Sequence, residues 1–68
     1  MKDMNKAERA IWKAAQGLIS AKRGKNEFVS VEYAKGAFDM ACEMALALAQ
    51  TTDERIMEIE AAAIKKIY

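Results

Sequence analysis

Between Val31 and Gln50 the chain runs VEYAKGAFDMACEMALALAQ, with no proline and with its polar side chains confined to one narrow stripe. At roughly 100° per residue, Glu32, Lys35, Gly36, Asp39, Glu43 and Gln50 share about a third of a helical wheel, and every other position is apolar. Ala37, Ala41, Ala45 and Ala49 recur every four residues. One bulky row (Val31, Phe38, Cys42, Leu46) lies on one side of them and a second (Tyr33, Met40, Met44, Leu48) on the other. A row of small side chains between two bulky rows is a groove into which a second helix packs closely, ridges into grooves. A helix apolar around most of its circumference needs cover from more than one side. The stretch therefore predicts a central, mostly buried second helix.

What precedes it reads as an amphipathic helix over about Asn5–Arg23. Asn5 with Glu8 three residues on forms an N-x-x-E capping box, and Lys22, Arg23 and Gly24 form a C-terminal signal. Met4, Ala7, Ile11, Ala14, Ala15 and Leu18 make its apolar stripe, widened by Trp12 and Ile19, while Lys2, Lys6, Arg9, Lys13, Gln16 and Ser20 line the back. After Gln50, Thr51 with Glu54 fits a T-x-x-E box opening a third helix over about Thr52–Ile67. Ile56, Ala63 and Ile67, with Met57, Ile64 and Tyr68, form its apolar face. Glu54 and Glu58 come early and Lys65 and Lys66 late, as the helix dipole favours.

Two local alternatives compete with this outline. No glycine or proline separates the second helix from the third, so one continuous helix from Val31 to Tyr68 is also consistent with the pattern. Lys25–Ser30 has no helical pattern, and Phe28 is expected to fold back onto the core. Ser30 is placed to cap the second helix, yet Glu27–Tyr33 is rich enough in β-branched and aromatic residues to read as a short strand. That strand would lack a partner within the chain. A strand there would give residues 26–68 a strand–helix–helix order that superficially resembles the ribbon-helix-helix class of DNA-binding dimers. The long preceding helix and the acidic charge of that segment depart from the class.

Size sharpens the question of what covers the second helix. A 68-residue chain is a single domain, and one this small buries only about 60% of its unfolded surface. Small cores are commonly supported by disulfides, metals or oligomerisation. The lone Cys42 allows no intrachain disulfide, and the chain has no histidine, the commonest metal ligand. Oligomerisation remains, and the fold expected is all-α: a small three-helix domain packed as a helical homodimer. Its interface is expected on the second helix, at Ala37, Ala41, Met44, Ala45 and Leu48.

The same inventory bears on function. With serines only at Ser20 and Ser30, one cysteine in an apolar row and no histidine, no nucleophile has a base beside it, so no catalytic, cofactor-binding or metal-ligating residue is expected. The carboxylates spaced four apart, Asp39 with Glu43 and Glu54 with Glu58, read as solvated helix faces. Residues 1–25 carry seven Lys and Arg against two acids, and residues 26–68 carry four against eight. Lys6, Arg9 and Lys13, with Trp12 bordering them, form a candidate basic contact face. It could track phosphates in a salt-dependent, sequence-indifferent way, or meet the acidic stripe Glu32, Asp39 and Glu43 of another chain. No apolar run approaches the 18 or so residues of a membrane span, and no apolar signal region follows MKDMNK. The reading is a non-enzymatic, cytoplasmic protein–protein interaction module acting as adaptor, regulator or inhibitor on a protein partner, without a cofactor. A nucleic-acid-binding regulator is the alternative.

Overall fold

The computed structural model describes residues 3–24 and 30–67, the last by its backbone alone, and among these the chain forms α1 (Lys6–Lys22), α2 (Val31–Ala47) and α3 (Asp53–Ile67). The expected all-α, three-helix outline is the one observed. No helix among the described residues is long and apolar enough to cross a membrane.

Each helix starts where its side chains cap it. The Asn5 side chain accepts from the Glu8 N–H at 2.8 Å, and Glu8 Oε1 accepts from the Asn5 N–H at 3.1 Å, completing the expected box. Ser30 Oγ accepts from the Tyr33 N–H at 3.1 Å and starts α2. That makes Val31–Tyr33 helical and removes the second half of the strand read over 27–33; residues 27–29, and with them the fold-back expected of Phe28, lie outside the described residues. At α3 the cap is Thr52, whose hydroxyl accepts from the Arg55 N–H at 3.1 Å. The box expected from Thr51 and Glu54 is displaced by one residue, because the Thr51 hydroxyl donates instead to Glu8 Oε2 at 3.2 Å.

The helix ends use the same device with different residues. Gly24 takes φ 70° after α1, the left-handed conformation that glycine adopts without a Cβ penalty. Ala49 takes φ 55° after α2. Its N–H donates to the Leu46 carbonyl at 3.0 Å and the Gln50 N–H donates to the Ala45 carbonyl at 2.8 Å. This is a Schellman closure. It ends α2 at Ala47, three residues short of the expected Gln50, and breaks the continuous helix that the sequence allowed.

The core overturns the expectation that α2 is the central, mostly buried helix. α1 lies between the other two and packs on both, while α2 and α3 touch each other far less. Ile11 and Ala15 of α1 cluster with Phe38 and Ala45 of α2 and with Ile56, Ile59 and Ala63 of α3. Met4, Ala7, Trp12, Ala14, Leu18 and Ile19 pack around that cluster, so the whole apolar stripe read for α1 is in use. Ile11 and Ile59 are 0% exposed. Ile59 was missing from the face expected of α3, and the structure places it at the centre. Ile64 and Met57, expected on that face, are exposed.

Candidate interaction surface

A polar clasp fixes one end of the molecule. Glu8, in the first turn of α1, is a buried carboxylate. Besides its cap it accepts from Arg55 Nε at 2.9 Å and from the Thr51 hydroxyl, both on Oε2. Arg55 also donates to Glu58 Oε2 at 3.0 Å and to the Asp3 carbonyl at 3.3 Å. Burial pushes the Glu8 carboxyl up, but the hydrogen bonds from Asn5, Arg55 and Thr51 and the Arg55 charge outweigh it and hold the pKa below the ordinary carboxylate value. Its hydrogen bonds all serve the fold. Across the same end, Asn5 Nδ2 donates to the Gln50 carbonyl at 2.7 Å. That bond holds the end of α2 beside the start of α1, so the two helices run antiparallel, and it sets their separation there.

Beyond the clasp the two helices leave a groove of about 370 Å³ lined by Ala7 and Ala10 of α1 and by Ala37, Met40, Ala41, Met44 and Ala45 of α2, with Leu48 and Gln50 just past the end of α2. All five residues expected at an interface line it. They divide by burial: Ala45 is packed into the chain's own core, Ala41 is half-buried, and Ala37, Met44 and Leu48 are exposed. The groove is open because α1 meets α2 here with alanines, whose methyls cannot reach over the thioethers opposite. Met40 stays 63% exposed, Met44 59% and Leu48 62%. A second concavity of about 360 Å³, lined by Glu32, Tyr33, Gly36, Ala37 and Met40, continues the surface toward the start of α2. Tyr33, Met40, Met44 and Leu48 thus form one apolar stripe along the helix, at the spacing that places residues on a single face.

The candidate basic face is divided by the fold. Lys6, Arg9 and Lys13 are exposed on α1. Trp12, at the edge of that face, is half-buried against the core, with Lys66 Nζ of α3 5.9 Å from its ring centroid. Cys42 is half-buried; burial, then the carboxylates of Glu60 and Asp39, push its thiol up, so it stays protonated and weakly nucleophilic at neutral pH. Among the described residues no group of three or more acidic or cysteine side chains stands together as a metal site.

Comparison with protein-family models, with curated proteins and with solved structures returns no match for this chain.

Proposed function

We propose that the protein is a small non-enzymatic interaction module, an adaptor, regulator or inhibitor, that docks through the α2 groove and forms a homodimer when that surface closes on itself. The observation that carries the reading is the continuous exposed stripe Tyr33, Met40, Met44 and Leu48 opening into an alanine-lined groove. Methionine suits such a surface because its unbranched, polarisable side chain adapts to the shape it meets. An apolar patch of this kind on a small chain marks an interaction site. The cytoplasm is the compartment proposed, since a lone thiol is at home where thiols stay reduced.

Met40→Glu/Met44→Glu is the decisive variant, because both side chains lie outside the chain's own core. Light scattering after gel filtration is expected to give a dimer for the wild type and a monomer for the variant, with unchanged helical circular dichroism. A variant that self-associates like the wild type would remove the α2 face from the reading.

The exposed Lys6, Arg9 and Lys13 favour one second reading, a regulator that tracks phosphates on nucleic acid. Gel shift in low salt tests it: binding lost in the Lys6/Arg9/Lys13 triple alanine variant supports it, and no binding by the wild type removes it.

A further inference from the structure

We infer that the occupant of the groove is a second copy of this chain, related by a twofold axis parallel to the helices, so that α1 of each protomer lies over α2 of the other. This rests on the docking surface proposed above and specifies what fills it and in which orientation.

The first support is shape. The groove sets small residues of α1 (Ala7, Ala10) beside a bulky row of α2 (Met40, Met44, Leu48). A twofold axis along the groove lays the bulky row of one copy over the small row of the other, so the surface is complementary to itself. An axis across the groove lays bulky on bulky.

Charge makes the same choice. On α1 the groove is bordered by Lys6 and Lys13, four residues before and three after Ala10, and both are exposed. On α2 it is bordered by Glu32, which lines the second concavity, and by Glu43, three residues after Met40, both exposed. Among the described residues none of the four makes an ion pair within the chain. One rim is therefore basic and the other acidic. An axis parallel to the helices keeps each residue at its own height. Because the start of α1 lies beside the end of α2, it sets Lys13 of one copy level with Glu43 of the other at both edges, whereas the axis across the groove sets like on like. Lys6 and Glu32 lie at opposite ends and do not meet. Complementary rims fix register and discriminate against the wrong arrangement.

Helix direction agrees. Because α1 and α2 run antiparallel within the chain, the stacked α1 and α2 of different protomers are antiparallel too, giving a four-helix arrangement whose neighbours all alternate in direction.

The test is charge reversal read by sedimentation equilibrium at low salt, with circular dichroism to establish folding. Lys13→Glu and, independently, Glu43→Lys are each expected to raise the dimer Kd by about tenfold. The double variant that combines them restores opposite charges and is expected to return within about threefold of the wild type. If the wild type dimerises and both reversals leave Kd unchanged, the twofold arrangement is overturned while docking through α2 stands. A wild type that stays monomeric to about 100 µM, a hundredfold above a micromolar Kd, overturns the second copy as the occupant, while docking of a different protein through α2 stands.

Discussion

α2 and α3 flank the same helix, and they use their apolar residues in opposite ways. α3 is the more polar of the two, yet it buries Ile56, Ile59 and Ala63 and leaves Met57 and Ile64 outside. α2 is the more apolar, yet it buries only Ala34, Phe38 and Ala45, and Val31, Tyr33, Met40, Met44 and Leu46, with Leu48 just past its end, remain exposed. The number of neighbours decides burial, and hydrophobicity alone does not. α1 offers one stripe broad enough to meet two helices, each along a single face. A helix that needs cover on two faces therefore keeps one of them open in this chain.

The largest expected effect breaks the comparison at its shared core. Ile59→Ala removes a fully buried side chain and should cost about 2–5 kcal/mol, against a total of roughly 3–10 kcal/mol for a domain of this length. Urea denaturation should find it largely or wholly unfolded. Met44→Ala on the exposed face should stay within about 0.5 kcal/mol in the monomer, and an equal loss at both positions would contradict the difference drawn between them.

The clasp comes next. Glu8→Ala removes the capping carboxylate and leaves the Thr51 hydroxyl and the Arg55 guanidinium without their acceptor, at an expected cost of about 1–3 kcal/mol. Because the folded-state pKa of Glu8 is lowered, its contribution is complete above the ordinary carboxylate value of about 4.5 and is lost as pH falls through the folded value. Denaturation midpoints of the wild type and Glu8→Gln should therefore differ at pH 7 and converge on acidification. A constant difference down to pH 2 would remove Glu8 as the source.

The smallest effect concerns the end of α2. Ala49 holds a left-handed conformation that costs an L-residue about 1–2 kcal/mol, partly offset in glycine by its freer unfolded chain. Ala49→Gly should raise stability by about 0.5–1 kcal/mol, read as a higher thermal midpoint; a lower one would contradict the Schellman closure.

These positions also show what the sequence could reveal. Asn5, Glu8 and Gly24 announce both ends of α1 because their chemistry is local. The end of α2 was hidden because an alanine fills the place where glycine would have signalled it, so the pattern ran on to Gln50. Thr51 and Thr52 were misassigned by one residue because the choice between them is made by Glu8, far away in the chain. The groove residues Ala37, Ala41, Met44, Ala45 and Leu48 were readable from their four-residue spacing. Which helix would be central was not readable, since periodicity records how much of a helix seeks cover and is silent on which neighbours arrive.

The most direct test of the α2 face uses the methionines, because Met40 and Met44 lie on it and Met57, 69% exposed, lies on α3. With carbon-13 methyl labels, NMR spectra across a dilution series should move the Met40 and Met44 signals with concentration and leave Met57 in place. Signals that all hold still, or a Met57 signal that moves in step with the other two, would contradict the account.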